Sequence, residues 1–271
     1  MLQVSRLALI GAGKLGEALA RGLIDAQAIE ASRIVVTAGS AERCEQLVTQ
    51  LGVTAAKTNR DAVRGADVVL LAVKPQQVGP VLDDLGESID KDALLISVAA
   101  SVSTSFIEKR LARAVPVVRA MPNTAALIKR AITGVSRGAH ATPAHLEIAR
   151  AIFSAVGRVV MVDEKHLDAI TGLSASGLAF IYVVIESMAE GGVKMGLPRH
   201  LATELAAQTV LGAGAMVIET GAHPAMLKDN VTTPAGTTID GLLQLEEGGL
   251  RVTLIKSVVQ ATQRARELLE K

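Results

Sequence analysis

Large aromatic side chains are scarce in this chain of 271 residues, which contains no tryptophan, one tyrosine and three phenylalanines. Proteins that bind single-stranded nucleic acids stack bases on such side chains, so the scarcity argues against that class. Aromatic anchors for glycans are absent as well. Hydrophobic residues make up 49% of the sequence, and the core must be built mainly from alanine, leucine, valine and isoleucine.

The chain also has little cysteine and no excess of one charge. Its single cysteine, Cys44, excludes an intrachain disulfide framework and a cysteine-based zinc site, and it suits a reducing cytosol. The 28 Lys and Arg residues balance 27 Asp and Glu residues, so the charge does not favour nucleic acid. The five histidines do not have the spacing of metal ligands. We expect a cytoplasmic protein with no metal site and no nucleic-acid partner.

A leader segment and a membrane span are not evident either. Met1 is followed at once by a strand-like run rather than by an apolar leader core. The longest uncharged run, Ala169 to Ile185, has 17 residues and contains Thr, Ser and Gly, so it is short and polar for a membrane span. We predict a loop that enters a deeply buried helix, and no membrane partner.

Short apolar runs alternate with helical patterns over residues 1–162. This alternation is typical of βαβ units, and a continuous apolar run such as Val68–Val73 suits a strand that is buried on both faces. The sequence predicts an α/β fold whose N-terminal domain is a Rossmann-type, doubly wound, mostly parallel sheet. The predicted strands are 7–10, 34–37, 68–73, 94–98, 115–118 and 158–162, and the helices between them are 14–26, 41–51, 75–85, 104–111 and 143–156.

Over residues 163–271 the pattern is helical throughout. Several of these helices, such as the one containing Ala206–Ile218, are apolar around their whole circumference, and such a helix must be buried. A domain of about 110 residues cannot easily hide several of them by itself. We therefore predict domains at 1–162 and 163–271, the second an all-α dimerisation domain of a homo-oligomer. Its predicted helices are 163–172, 176–194, 198–219, 223–228, 236–247 and 250–270.

Three glycines near the N-terminus form the pattern G-x-G-x-x-G between the first predicted strand and the first helix. In a βαβ unit, the first glycine (Gly11) permits a tight turn, and the second (Gly13) lets the backbone approach a pyrophosphate. The third (Gly16) allows the helix to pack closely on the strand. The sequence therefore predicts a dinucleotide-binding loop.

The end of the second strand bears on the choice between NADP(H) and NAD(H). NAD sites usually place Asp or Glu there to bond the ribose 2′-hydroxyl, but this chain has no acid before Glu42. Ser40 and Arg43 suit a 2′-phosphate instead, although Arg43 is equally compatible with a solvated helix position. NADP(H) is favoured, and NAD(H) stays an alternative. Lys74 is either a phosphate contact or half of a salt bridge, and Asn59, in a predicted loop, is a candidate ribose or adenine contact.

A polar loop at residues 227–241 contains four threonines, a proline and two glycines and leads into an apolar helix. The free N–H groups and the positive dipole end of a helix start can hold a carboxylate or phosphate. A capped helix without a ligand is equally compatible with the pattern. The chain offers no obvious strong general acid, which favours reduction of a C=N bond, because an iminium arrives already protonated.

The chain resembles the Δ1-pyrroline-5-carboxylate reductases, enzymes of the last step of proline synthesis, nearly from end to end. The most specific match is the block 227–249, which contains the threonine loop. The other matching segments are Gly11–Gly16, Ala72–Gln76, Arg119–Thr124, Asp168–Ser174 and Gly192–Pro198.

The resemblance implies hydride transfer from NADPH or NADH to C5 of pyrroline-5-carboxylate, which gives L-proline. The substrate carboxylate would lie on backbone N–H groups around Gly236 and Thr237, with Thr238 as the catalytic residue at the ring nitrogen and Val231 and Glu164 beside the pocket. The family forms dimers through interleaved C-terminal helices, often assembled into decamers. The implied cofactor-binding residues are Gly11, Ala12, Gly13, Lys14, Leu15, Ser40, Asn59, Val73, Lys74, Pro75, Ala100 and Asn230.

The chain departs from the family pattern at four positions, and each change of residue is small. Ala125 and Leu178 stand where the family usually has Pro, and Ala175 and Ala235 where it usually has Gly. Two alternative functions stay open. One is a 3-hydroxyacid dehydrogenase on the same scaffold, with Lys165 or Lys194 as its catalytic lysine, and the other is a non-catalytic cofactor-binding protein.

Overall fold

The computed structural model describes residues 4–268. The strand-like start at Met1 and the last two residues of the helix predicted at 250–270 lie outside the described residues. The chain divides into two compact units. The first, residues 4–175 with 261–268, contains the sheet, and the second, residues 176–260, is helical.

In the part of the chain that the structure describes, eight strands form one sheet in the order β3-β2-β1-β4-β5-β6-β7-β8. Neighbouring strands are parallel except for β6 and β7. The prediction of a doubly wound, mostly parallel sheet is confirmed. The strands are β1 (Leu7–Ile10), β2 (Ile34–Thr37), β3 (Thr54–Ala55), β4 (Val68–Leu71), β5 (Leu94–Ser97), β6 (Val117–Met121), β7 (Ala131–Arg137) and β8 (Gly157–Met161).

The helices of both units follow the predicted spans closely, except that α3 was not predicted and that a π-helical turn replaces the loop predicted before the helix at 176–194. Those of the first unit are α1 (Lys14–Asp25), α2 (Ala41–Leu51), α3 (Asn59–Val63), α4 (Pro75–Leu85), α5 (Thr104–Arg110), α6 (Pro143–Ser154) and α7 (Leu167–Ile170), the last continued by a π-helical turn at Thr171–Ala175. The later helices are α8 (Gly177–Lys194), α9 (Arg199–Thr220), α10 (Pro224–Asn230), α11 (Thr237–Glu247) and α12 (Leu250–Glu267).

Alternation along the strands divides the core of the sheet into two layers. Leu7 and Leu9 belong to one layer, and Ala8 and Ile10 to the other, because successive strand residues point to opposite faces. Helices α1 and α6 cover the first layer, and α3, α4 and α5 cover the second. This arrangement leaves the loops at the ends of the strands free to form a site.

Strand β7, like the two-residue strand β3, is absent from the sequence prediction. It carries polar side chains at buried positions, among them Thr133 and Ser136, so it lacks the continuous apolar run that identifies the other strands. Gly134 also weakens the pattern, but a Cβ there would lie 2.6 Å from Ile170 Cδ1. The close approach of the helical segment after β8 therefore requires glycine at this position.

In the second unit, α8 and α9 pack against each other through small residues. Ala189, Ala202 and Ala206 form their buried core, which allows close contact of the two backbones. The prediction that the helix after Ala169 is deeply buried is wrong for the single chain, because Tyr182 is 61% exposed and Val183 is 60% exposed. The sequence predicted an apolar helix, but it did not identify what covers the apolar surface of that helix.

The exposed apolar faces of these helices cover much of the second unit. The stretches 164–194 and 199–220 are long and apolar enough to cross a membrane by length and composition alone, which is weak evidence because helices of soluble proteins also pass this test. Larger exposed apolar side chains include Leu211, Met216, Ile218, Leu243 and Ile255. So many exposed apolar side chains on one helical unit are typical of an interaction surface.

Candidate active site

Four loops meet at the carboxyl edge of the sheet, where β2, β1, β4 and β5 end side by side. The chain goes from β1 to β2 on one side and later places β4 on the other side of β1. Open α/β sheets bind ligands in the crevice that forms at such a change of direction. Apart from Asn59, which begins α3, the predicted cofactor residues of the first unit fall on these loops or on the helices that follow them.

The glycine-rich loop is shaped by contacts with its two neighbours. The N–H groups of Gly11 and Ala12 donate to the carbonyl oxygen of Thr37, at 3.1 and 2.8 Å. Gly11 has φ of +83°, and a Cβ there would lie 2.5 Å from Val73 Cγ1. Both the turn and the close approach of the loop after β4 therefore require glycine.

Gly13 lies at the start of α1 and faces open space. A Cβ built on Gly13 would meet nothing within 4 Å among the described residues, and no side chain in this part of the chain caps the helix. The first-turn N–H groups of α1 therefore point into a gap, with the exposed Lys14 beside them. Free donors and a positive helix end are what a pyrophosphate needs, so the loop fits a dinucleotide.

Asn59 does not lie in a loop as predicted, because it is the first residue of α3, with Thr58 as the N-cap. Its Oδ1 accepts a hydrogen bond from Thr37 Oγ1 at 2.8 Å. This bond holds the amide at the end of β2, next to the glycine-rich loop. The structure thus places Asn59 beside the glycine-rich loop, although Asn59 begins a helix rather than lying in a loop as predicted.

Ser40 and Arg43 also lie at the end of β2. Ser40 is the N-cap of α2, and its Oγ accepts from the Arg43 N–H at 3.2 Å. The Arg43 guanidinium reaches back to the glycine-rich loop, where Nε donates to the Ala12 carbonyl oxygen at 3.3 Å. It also donates to Glu17 Oε2 at 2.6 Å. Arg43 is therefore held beside the loop rather than being a free surface cation.

The loops after β4 and β5 complete this edge of the site. Val73 packs beside Gly11, while Lys74 is exposed, forms no ion pair with the described residues and stands just before Pro75, the first residue of α4. After β5, Ala100 is half-buried, and Ser101 has φ of +67° and a buried hydroxyl with no hydrogen-bond partner in the described chain. A strained backbone with an orphan hydroxyl is unusual outside functional sites.

Glu164 follows β8 and has its carboxylate engaged on both oxygens. Oε1 accepts from the Thr104 N–H and Oε2 accepts from Thr104 Oγ1, each at 2.7 Å. Glu164 also lies 3.6 Å from Arg119, whose side chain is only 4% exposed. The sequence singled out Glu164 but not these partners, since they come from β6 and α5, far along the chain.

Arg119 in turn joins two segments that the sequence analysis treated separately. It donates to Asp168 Oδ1 at 2.7 Å, and Asn123 Nδ2 donates to the Ser174 carbonyl oxygen at 3.3 Å. The first bond connects β6 to α7, and the second connects the residues just after β6 to the π-helical turn. A charged residue in the middle of a buried strand is the one sequence signal that could have predicted the pairing.

We expect Asp168→Asn to lower the free energy of unfolding by about 2 kcal/mol, because it removes the closer of the two carboxylates that face the buried Arg119. Urea unfolding at a fixed protein concentration measures the effect. Asp163→Asn is the matched control, since Asp163 forms only an exposed pair with Lys165 at 3.4 Å. Equal stabilities of the two variants would contradict a role for the Arg119 pair.

The predicted substrate residues other than Glu164 all lie in the second unit, between the end of α10 and the first turn of α11, as does the predicted cofactor residue Asn230. Asn230 ends α10, Val231 is 65% exposed, and Gly236 is the N-cap of α11 without a side-chain cap in the described chain. The Gly236 N–H already donates to the Thr233 carbonyl oxygen at 3.0 Å. The first-turn N–H groups of Thr237 and Thr238 have no intrahelical acceptor, so they are the donors that this helix start offers.

Together, the Rossmann sheet, the open glycine-rich loop and the helical second unit define the class: a nicotinamide-dependent oxidoreductase. A family model described as NADP oxidoreductase, coenzyme F420-dependent, matches residues 6–101, and one described as pyrroline-5-carboxylate reductase dimerisation matches residues 164–268. The chain is 45% identical to a pyrroline-5-carboxylate reductase of Methanosarcina acetivorans over 270 residues, 100% of both chains.

Solved structures agree with these matches. A pyrroline-5-carboxylate reductase of Coxiella burnetii has a TM-score of 0.88 and 38% identity, covering 97% of this chain and 98% of that one. A Plasmodium falciparum pyrroline carboxylate reductase with NADP bound has a TM-score of 0.88 and 28% identity, covering 98% of both chains. The chain belongs to the pyrroline-5-carboxylate reductase family, and the resemblance inferred from its motifs is confirmed.

Proposed function

We propose that this chain reduces the C=N bond of 1-pyrroline-5-carboxylate to give L-proline, the last step of proline biosynthesis. The observation that carries the proposal is the end-to-end family match, because it includes the threonine loop as well as the glycine-rich loop. The uncapped start of α11 supports it, since a pyrroline-5-carboxylate ring carries one carboxylate and one imine nitrogen that this start can bind.

A bound NADPH or NADH supplies the hydride from C4 of its nicotinamide. Gly11, Ala12, Gly13, Lys14 and Leu15 would hold the pyrophosphate at the start of α1, with the Lys74 cation close by on the loop after β4. Asn59 would contact the ribose or adenine side. Val73, Pro75 and Ala100 are small or apolar and would leave room for the nicotinamide half, and Asn230 would lie near its carboxamide end.

NADPH is the preferred cofactor in this proposal, with NADH as the alternative. The end of β2 carries no carboxylate for a ribose 2′-hydroxyl, whereas the Ser40 hydroxyl and the Arg43 guanidinium can bind a 2′-phosphate. The hydrogen bond from Arg43 Nε to Ala12 supports this, because it holds the guanidinium next to the glycine-rich loop.

Substrate binding would rest mainly on the start of α11. The N–H groups of Thr237 and Thr238 would bind the carboxylate, and the half-buried Thr238 hydroxyl would hydrogen-bond the ring nitrogen. A threonine is a weak acid, so its role is to orient the imine and relay a proton rather than to protonate it strongly. Gly236 and Val231 would take part in substrate binding from the second unit. Glu164, whose carboxylate is held by Thr104, is the proposed substrate-binding residue of the first unit.

The exposed apolar helices support a homo-oligomer. The dimerisation family model covers 164–268, and a partner subunit would cover the apolar faces of α8 and α9 without a membrane. We propose a cytoplasmic homodimer, assembled into decamers, that binds no nucleic acid. We also propose a nucleotide-binding domain at 1–162 and a dimerisation and substrate domain at 163–271.

The decisive experiment follows NADPH and NADH oxidation with pyrroline-5-carboxylate as substrate. We expect turnover with both cofactors and a higher kcat/KM with NADPH. A six-membered cyclic imine and a series of 3-hydroxy acids serve as comparison substrates. Absence of turnover with pyrroline-5-carboxylate, or turnover of a hydroxy acid in its place, would contradict the proposal.

A further inference from the structure

One acidic residue approaches the cofactor-binding edge of the sheet from an unexpected element. Glu17 lies in the first turn of α1, directly after the glycine-rich loop, and its Oε2 accepts from the Arg43 guanidinium at 2.6 Å. Its Oε1 accepts from Arg21 Nη2 at 2.9 Å. A carboxylate of α1 thus lies against the Arg43 guanidinium, the cation proposed above to bind a 2′-phosphate.

Glu17 is ionised at neutral pH. The hydrogen bond from Arg43, followed by that from Arg21, lowers the pKa of the Glu17 carboxyl below its usual value. Its side chain is 21% exposed and that of Arg43 is 26% exposed, so the pair is only partly screened by water. Arg43 therefore carries a permanent negative neighbour on one edge of its guanidinium.

The other contacts of Arg43 do not depend on Glu17. Nε donates to the Ala12 carbonyl oxygen, and Nη1 lies 3.5 Å from Gln46 Oε1. These bonds hold the guanidinium beside the loop whether or not Glu17 is charged. A phosphate dianion that approaches Arg43 would be attracted by the guanidinium. It would also be repelled by the negative charge of Glu17, which lies against the same guanidinium.

We propose that Glu17 is a specificity-determining residue that weakens the preference of this site for a 2′-phosphorylated cofactor. The inference rests on the proposed use of a nicotinamide dinucleotide. Glu17 occupies one edge of Arg43 and places a like charge near the phosphate, which lowers the affinity for NADPH while leaving that for NADH almost unchanged. The chain therefore keeps both cofactors in use although it lacks the acid that NAD sites place on β2.

The test measures nucleotide binding rather than turnover. Adenosine 2′,5′-bisphosphate and adenosine 5′-monophosphate are titrated calorimetrically at fixed salt into the unaltered protein and into Glu17→Gln. Glutamine can keep the hydrogen bond from Arg43 through its single amide oxygen, while it loses the charge and the acceptor that Arg21 uses. We expect the ratio of the two affinities to rise about fivefold in favour of the bisphosphate, the scale on which partly exposed charge pairs act.

Two further variants make the result specific. In an Arg43→Gln background, Glu17→Gln should change the ratio much less, because the two residues act on each other. Glu30→Gln is the matched control: it removes one negative charge from an exposed pair with Arg33 ahead of β2, and the ratio should stay constant. A ratio that falls or stays unchanged in Glu17→Gln would overturn the inference alone. Failure of the unaltered protein to bind either nucleotide would overturn the proposed cofactor function, and the inference with it.

Discussion

Replacing Thr238 by alanine should lower kcat about 100-fold or more while NADPH affinity stays within about twofold of the unaltered protein. The Thr238 hydroxyl is the group that would orient the imine nitrogen, whereas the cofactor would be held by residues of the first unit. Steady-state kinetics with pyrroline-5-carboxylate gives kcat, and fluorescence titration gives the affinity for NADPH.

Two variants separate this role from a structural one. Thr238→Ser keeps the hydroxyl and should recover most of the turnover. Thr232→Ala removes a hydroxyl from the same loop, but that hydroxyl donates to the Lys228 carbonyl oxygen at 2.9 Å, so turnover should stay near normal. If Thr238→Ala lost cofactor binding and turnover equally, Thr238 would be a structural residue.

A methyl group at Gly13 should abolish most of the cofactor affinity without harming the fold. Nothing in the described chain lies within 4 Å of a Cβ at this position, so Gly13→Ala should melt at nearly the normal temperature. The methyl would occupy the space in which the pyrophosphate must approach the backbone. We expect the affinity for both NADPH and NADH to fall about 100-fold, since overpacking one methyl costs about 1–3 kcal/mol.

Gly11→Ala provides the contrast. Its Cβ would collide with Val73 Cγ1 in a backbone of positive φ, so this variant should lose thermal stability as well as cofactor binding. Thermal unfolding followed by circular dichroism, together with nucleotide titration, distinguishes the two glycines. Normal NADPH binding by folded Gly13→Ala would show that the cofactor does not cross α1 at its start.

The parts of the fold that depend on local patterns were predictable from the sequence. Strand β1, the glycine-rich loop and α1 follow one another within a few residues, so the period of the apolar residues and the glycine spacing suffice to define them. Strand β7 was not predictable, because its polar residues Thr133 and Ser136 are buried only through packing against segments distant in sequence. The same holds for the Arg119 contacts, which join β6 to residues after β8.

The threonine loop shows an intermediate case. The sequence identified Ala235 as a departure from the usual family glycine, and the structure places Ala235 at φ of +55°, in the left-handed region. An alanine there costs about 1 kcal/mol relative to a residue that adopts this region freely. Ala235 thus occupies a backbone region that favours glycine, the residue that the family usually has at this position.

The exposed Tyr182 on α8 has a practical consequence at the bench. It is the single tyrosine of a chain without tryptophan, so ultraviolet absorbance reports protein concentration poorly, and all tyrosine fluorescence arises at one position. That position lies on an apolar helix face of the second unit. A change of this emission on dilution would therefore follow dissociation of subunits, with no label attached and no tryptophan signal to subtract.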